Sequence, residues 1–166
     1  MSGNGPAQAL AVGSSTEPNH TTCIDPRTTS VFCKEDETAW LEAVSRLIAD
    51  RKFDVIDPLP LSEYLADMAK RDRREVKRRL AVLLAHLLKW EFQPAKRTKS
   101  WEKTIANQRA ELDDIFESAT LRQHADDVLN SAYRRSVRSA SIETGLPESS
   151  FPAWCPYQFD QIMGRA

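Results

Sequence analysis

Apolar residues recur every three or four positions soon after residue 34, the spacing typical of one face of an α-helix. The first such stripe predicts a helix that runs to about Asp50, with an acidic cluster at residues 35–37 in its first turn. Anions are favoured there by the helix dipole. The segment from Phe53 to Pro60 contains two prolines and is predicted to be a turn. The stripe consists of Trp40, Leu41, Val44, Leu47 and Ile48.

A second stripe continues without a phase slip and predicts one long central helix over about residues 61–92. Asp72 interrupts the stripe and, with Glu75, resembles a capping box, so a separate helix beginning at Asp72 is the alternative. We favour a single helix and leave open a bend near residue 70. Pro94 disfavours a helical Gln93, so the helix should end near Phe92. The apolar members are Leu61, Leu65, Met68, Val76, Leu80, Leu83, Leu87 and Trp90.

Residues 80–88 read LAVLLAHLL and are apolar around the whole helix. A helix that is apolar on every side is surrounded by protein. We therefore expect this segment to form the centre of a helical bundle.

Two more helices are predicted after this segment. Ser100 is the expected N-cap of a helix from Trp101 to about Glu117. Thr120 is the expected N-cap of the last long helix, with Gln123 completing a capping box, and Gly145 ends it. A short helix should start at Pro156. With no alternating strand pattern, the predicted fold class is all-α: a bundle of four main helices plus a short C-terminal helix.

Glycine and cysteine usage narrow the possible chemistry. Three of the five glycines lie in the first thirteen residues, which leaves no cluster that could form a phosphate-binding loop or a serine-hydrolase elbow. The three cysteines have no metal-site spacing and are predicted to be free thiols in a reducing compartment. Without an apolar run of membrane-spanning length or a signal peptide, we expect a soluble, cytoplasmic protein with no membrane partner.

Residues 1–30 differ from the rest of the chain in composition, being rich in glycine, proline, serine and threonine. Such a segment buries too little apolar surface to offset its ordering entropy. We predict a disordered tail over 1–30 and a single helical-bundle domain over 31–166; a mis-assigned start site would explain the tail equally well.

Residues 83–109 resemble the characteristic segment of a known bacterial family, and we call them the signature segment. They read LLAHLLKWEFQPAKRTKSWEKTIANQR. AWLEAVSRLIADRKFDVID at 39–57 and ETGLPESSFPAWCPYQFDQIM at 143–163 are similar to the opening and close of the same family. That family is domain-of-unknown-function family 29. The resemblance spans about residues 31–163 and implies an all-helical bundle but no activity. Pro58-Leu59-Pro60 departs from the acidic, proline-free helix start that the family implies.

Charge is concentrated in the middle of the chain. Residues 70–109 hold 13 basic and 4 acidic residues, net +9, between flanks of net −5 (31–69) and −4 (110–166). The densest part, KRDRREVKRR at 70–79, is called the basic block. Arg71, Arg74 and Arg78 would share one side of a helix and could follow a phosphate backbone, together with Lys96 and Arg97. The alternative, which we favour, is that the basic block pairs with acidic helices of the same molecule.

His86 is the candidate for general acid–base chemistry, with Lys89 and Trp90 beside it. The alternative, which the apolar surroundings favour, is a buried neutral imidazole hydrogen-bonded to a neighbouring helix. No metal site is predicted, because neither His86 nor His124 has a glutamate three positions earlier. We expect no cofactor.

The stretch from Trp90 to Trp101 is the most function-like part of the sequence, since specific residues in a loop often bind a partner. The alternative is that the two tryptophans only cap the core. We favour a non-catalytic interaction or regulatory module with an unknown protein partner, and nucleic-acid binding through 70–79 and 90–101 comes second. An enzyme centred on His86 comes third. The partner-binding candidates are His86, Lys89, Trp90, Pro94, Arg97, Ser100, Trp101, Gln108 and Arg109.

Overall fold

The computed structural model describes residues 36–165, and every regular element in that range is helical. The chain consists of two compact units that meet between Pro60 and Leu61 along the sequence, and the two units are described separately. The all-α fold class, with four long helices and a short C-terminal helix, is confirmed. The predicted tail over 1–30 lies outside the described residues, and the single domain over 31–166 stays a prediction.

The first part contains helix α1, Glu37–Ala49, followed by a 3₁₀ turn at Phe53–Val55. Asp36 caps α1, since its side chain accepts a hydrogen bond of 2.9 Å from the backbone N–H of Ala39. Trp40 and Val44, one turn apart, are its buried residues. The first predicted stripe therefore forms a helix where it was expected.

Helix α2, Pro58–Phe92, is continuous over 35 residues, which confirms the single helix and excludes a separate start at Asp72. The predicted turn at 53–60 is wrong in its last three residues, because α2 already begins at Pro58. Prolines are tolerated in a first turn, where N–H groups have no intrahelical acceptor. The carboxylate of Asp57 accepts the N–H of Leu59 at 3.0 Å.

The two halves of α2 differ in burial. From Val76 onward the helix contributes eight buried residues, including Leu80, Leu84 and Leu88. Before Val76 it contributes none, and Leu65 and Met68 are exposed. The long apolar stripe therefore predicts the helix correctly, but only its second half enters the core.

Helix α3, Lys99–Ile115, and helix α4, Ala119–Thr144, pack against this half of α2. Two predicted caps are wrong by two residues. Thr98, not Ser100, caps α3 through the N–H of Trp101 at 3.3 Å, and Ser118, not Thr120, caps α4. Gly145 ends α4 in the left-handed conformation at φ 75°, as predicted.

The C-terminal segment closes the bundle. A 3₁₀ turn at Glu148–Ser150 precedes helix α5, Phe159–Met163, which begins three residues later than the predicted Pro156. Gln158 caps α5 by a reciprocal capping box with Gln161. Ile162 and Met163 lie in the core with Leu112, Ala132 and the buried residues of α2. Helix α5 therefore joins the same core as α2, α3 and α4.

Candidate interaction site

The signature segment forms the second half of α2, a loop over 93–98 and most of α3. Its predicted site residues are therefore spread over one helical hairpin. His86, Lys89 and Trp90 lie on α2. Pro94 opens a 3₁₀ turn in the loop, Pro94–Lys96, which Arg97 follows. The remaining four lie on α3: Ser100, Trp101, Gln108 and Arg109.

Lys89 lies at the centre of a polar cluster inside the bundle. It is 2% exposed, and its Nζ is paired with the carboxylate of Glu143 on α4. The same Nζ lies 3.3 Å from Nε2 of His86 and 5.0 Å from the ring centroid of Trp101. The structure thus brings together three predicted residues and one unpredicted residue, which we call the Lys89 cluster.

Glu143 completes the Lys89 cluster from α4. Partial burial acts to raise its pKa, but the hydrogen bond and charge of Lys89 outweigh burial, so the pKa is held below its ordinary value. Ser139 donates to the second carboxylate oxygen at 3.1 Å. One residue further along, the carbonyl of Thr144 accepts a hydrogen bond of 3.1 Å from the Gln93 amide. These contacts fasten the end of α4 to α2 and the loop that follows it.

His86 is half-buried, and its Nδ1 lies 2.9 Å from the carbonyl oxygen of Val82. A ring N–H must donate to that carbonyl, so Nδ1 carries the proton and Nε2 accepts from Lys89. Burial lowers the pKa of His86 below its ordinary value, and the nearby Lys89 charge acts in the same direction. The expected hydrogen bond to a neighbouring helix is wrong, because both partners lie on α2 itself.

Trp90 and Arg97 close the loop between the two helices. The guanidinium Nε of Arg97 donates to the carbonyl of Trp90 at 2.8 Å. The guanidinium carbon lies 4.8 Å from the centroid of the indole ring, in a cation–π arrangement. The loop is therefore closed by a charged side chain stacked on one face of the tryptophan.

An apolar groove of about 440 Å³ runs between α2 and α3 beside this tryptophan, and we call it the Trp90 groove. Ile105 is buried at its floor, and the small side chain of Ala106 leaves it open on the α3 side. Glu102 and Arg109 lie one turn before and one turn after these residues. The lining residues are Leu87, Trp90, Glu102, Ile105, Ala106 and Arg109.

Arg109 holds the C-terminal helix in place. Its Nε donates to the carbonyl of Ile162 at 2.8 Å, and one Nη donates to that of Gln161 at 3.2 Å. The φ of Gly164 is +72°, which favours glycine, and a Cβ there would lie 2.6 Å from the Arg109 guanidinium, which would have to move. The structural role of Arg109 is thus the binding of helix-end carbonyls.

Gln108 and Ser100, the remaining two candidates, differ in environment. The side-chain oxygen of Gln108 is buried, with no hydrogen-bond partner among residues 36–165. Ser100 is exposed, and its carbonyl accepts the Thr104 hydroxyl at 3.0 Å. Neither residue joins the Lys89 cluster.

The basic block is partly neutralised by its own helix. Arg78 forms two hydrogen bonds to the carboxylate of Glu75, at 2.8 and 2.6 Å. Arg79 reaches Glu75 at 2.7 Å and Glu111 of α3 at 2.9 Å. The hydrogen bonds from Arg78 hold the pKa of Glu75 below its ordinary value. The contacts to Glu75 lie within α2, and the contact to Glu111 joins α2 to α3.

Arg71 and Arg74 lie two turns and one turn before Arg78 on the continuous helix α2, whereas Lys96 and Arg97 follow the other end of that helix. Arg71 and Arg74 are exposed on the first half of α2, and Lys96 is exposed in the loop after its second half. Among residues 36–165, no three histidine, cysteine, aspartate or glutamate side chains are arranged to hold a metal ion. In the same range, no helix has the length and apolar character needed to cross a bilayer.

A family model described as "Domain of unknown function DUF29" matches residues 33–166. The chain belongs to the DUF29 family. No curated protein and no solved structure matches it. The DUF29 assignment confirms the resemblance carried by the signature segment, and the Lys89 cluster and Trp90 groove are features of this DUF29 chain.

Sequence reasoning missed Glu143 and Ser139. They lie 54 and 50 residues after Lys89, and nothing local in the sequence links them to it. One signal was available: Lys89 follows Ala81 and Ala85 on the same helix face, next to the all-apolar run. A lysine at such a position is buried, and a buried ammonium needs a carboxylate partner.

Proposed function

We propose that this DUF29 chain is a non-catalytic protein-interaction module that binds its partner through the Trp90 groove. The observation that carries the proposal is that three charged side chains of the signature segment are bound internally while its apolar groove is open. Lys89, Arg97 and Arg109 are all engaged by groups of the same molecule. What this hairpin offers a partner is the open apolar groove between them.

The geometry of the groove supports protein binding over catalysis. Its floor and most of its walls are aliphatic or aromatic, a surface suited to apolar anchor residues. His86, the catalytic candidate, donates to a backbone carbonyl and accepts from Lys89, so both ring nitrogens already have partners. To act as a general base, His86 would have to give up the hydrogen bond from Lys89 and bring Nε2 within hydrogen-bond reach of a substrate proton.

In vivo photo-crosslinking tests this function. A benzophenone amino acid replaces Ala106 in the groove or, as a matched control, exposed Asn107 on the adjacent face of α3. We expect a crosslinked protein from position 106 only, and a binary complex of the two purified proteins that Ala106→Lys abolishes and Asn107→Lys preserves. Equal crosslinking from both positions, or none from position 106, would overturn the proposal.

Nucleic-acid binding is the second candidate, and the exposure of Arg71 and Arg74 favours it. Its test is a gel-shift series over salt concentration, since each phosphate contact on duplex DNA contributes a log–log slope of about −0.9. Arg71→Ala with Arg74→Ala should then flatten that slope by about two units. Binding with no salt dependence, or an unchanged slope in the double variant, would exclude this candidate.

A further inference from the structure

The charge around the Trp90 groove identifies the kind of partner it would bind. Residues 96–103 carry four basic side chains and one acidic one, Glu102. We call the four basic residues the basic rim, and all of them are exposed: Lys96, Arg97, Lys99 and Lys103. On α3, Lys99 lies one turn before Glu102 and Lys103 one turn before Ala106, so both flank the groove.

Within residues 36–165, no carboxylate pairs with the positive charges of the basic rim. In the basic block, Glu75 and Glu111 bind Arg78 and Arg79. Arg97, by contrast, is bound to a carbonyl oxygen and an indole ring, which leave its charge in place. None of the rim residues is paired with a carboxylate of the described chain.

The walls of the groove determine the conformation of the partner segment. Both walls are α-helices, whose backbone N–H and C=O groups are already paired within the helix. An extended peptide would find no strand edge to join, so side chains must supply the affinity. An amphipathic helix does this with apolar anchors on successive turns, in a linear groove between two helices.

We propose that the occupant of the Trp90 groove is an acidic amphipathic helix of a partner protein. Its apolar face would lie on Leu87, Trp90 and Ile105, and its acidic residues would meet the basic rim. This inference rests on the proposed function and adds the chemistry of the partner. A single-stranded nucleic acid fits the groove less well, because Arg97 already covers a face of Trp90 on which a base would stack.

Defined peptides test the inference on the full chain by isothermal titration calorimetry. The probe is a stapled helical peptide with leucine at positions i, i+3, i+4 and i+7 and glutamate elsewhere. One control peptide carries lysine in place of glutamate, and another carries serine in place of leucine. We expect the acidic peptide to bind at least tenfold more tightly than either control. Equal affinities, or no binding of the acidic peptide up to about 1 mM, would overturn the inference.

Two matched variants separate groove binding from general attraction. Ala106→Lys and Asn107→Lys add the same charge at neighbouring exposed positions of α3, but only the first fills the groove. We expect Ala106→Lys to abolish binding of the acidic peptide and Asn107→Lys to preserve it. If both variants bind more tightly than the parent chain, attraction is purely electrostatic and the inference is wrong.

A second pair of variants tests the basic rim. Lys99→Gln with Lys103→Gln should weaken the acidic peptide about three- to tenfold, since rim charges contribute modestly to affinity. Arg134→Gln with Arg138→Gln removes the same charge from exposed positions of α4 and should have less than a twofold effect. Equal losses in the two double variants would overturn the role of the rim.

Failure of the inference is distinguishable from failure of the proposed function. If the protein crosslinked from position 106 binds through a neutral or basic segment, the inference of an acidic helix is wrong, but the proposed interaction module stands. If sedimentation velocity shows that the chain itself dimerises and that Ala106→Lys prevents this, the occupant is a second copy and the inference is likewise overturned.

Discussion

The ion pair between Lys89 and Glu143 should affect stability asymmetrically. The Lys89 side chain is 3% exposed and that of Glu143 is 45% exposed. Glu143→Ala would leave a buried ammonium with only a histidine nitrogen and an indole face as partners. Breaking a fully buried pair costs about 3–5 kcal/mol, and the partial exposure of Glu143 lowers our expectation to about 2–3 kcal/mol.

Replacing the lysine instead should cost much less. Lys89→Met keeps most of the packing volume and removes the buried charge, while Glu143 can turn towards water. We expect a loss below about 1 kcal/mol for Lys89→Met. In the Lys89→Met background, Glu143→Ala should then cost under about 0.5 kcal/mol, which is a coupling energy of about 2 kcal/mol between the two residues.

Urea unfolding followed by circular dichroism measures these differences, provided that the slope of the free energy against urea stays constant. Glu63→Ala is the matched control, because Glu63 is an exposed carboxylate on the first half of α2. It should change the free energy of unfolding by less than about 0.5 kcal/mol. If Glu143→Ala behaves like this control, or Lys89→Met proves the more damaging variant, our account of the pair is wrong.

Three further predictions follow from burial, pKa and backbone conformation. Because burial lowers the pKa of His86 in the folded chain, the unfolded chain binds that proton more readily, and stability should fall as the pH drops below about 6.5. His86→Gln should remove this step. Stability should fall again below about 4.5, because Glu143 is then protonated and loses its pairing with Lys89. Leu84→Ala should cost about 2–5 kcal/mol in urea melts and half-buried Leu87→Ala clearly less, so equal losses would contradict the assigned core. Gly164→Ala should lower the thermal midpoint through a strain of at least about 1 kcal/mol, and an unchanged midpoint would contradict the close contact at α5.

The helices were predictable from sequence because their period depends only on neighbours along the chain. Their caps were less so. Ser100 and Thr120 are each preceded within two residues by another hydroxyl residue, Thr98 and Ser118, that can cap equally well. Which of the two caps the helix depends on where the preceding backbone turns, and this is set by packing rather than by residue type.

The candidate site, like the helices and their caps, was only partly predictable from the sequence. His86, Lys89 and Trp101 could be identified because they belong to one hairpin whose two helices meet across a short loop. Glu143 could not, because it reaches Lys89 from 54 residues away through the packing of α4 on α2. The Trp90 groove was also out of reach, since a groove is a property of the space between side chains rather than of any residue in the chain.

The uneven burial of α2 implies a gradient of local stability along a single helix. Its 35 residues span about 52 Å; no side chain from Pro58 to Glu75 is buried, whereas eight are buried from Val76 onward. A helical segment that buries no side chain has less tertiary packing to stabilise it, so this half should open more readily than the half that enters the core. Amide hydrogen exchange should therefore be fast up to about Glu75 and slow by orders of magnitude from Val76 onward. One continuous helix would then contain a first half that opens locally and a second half that opens only when the bundle unfolds.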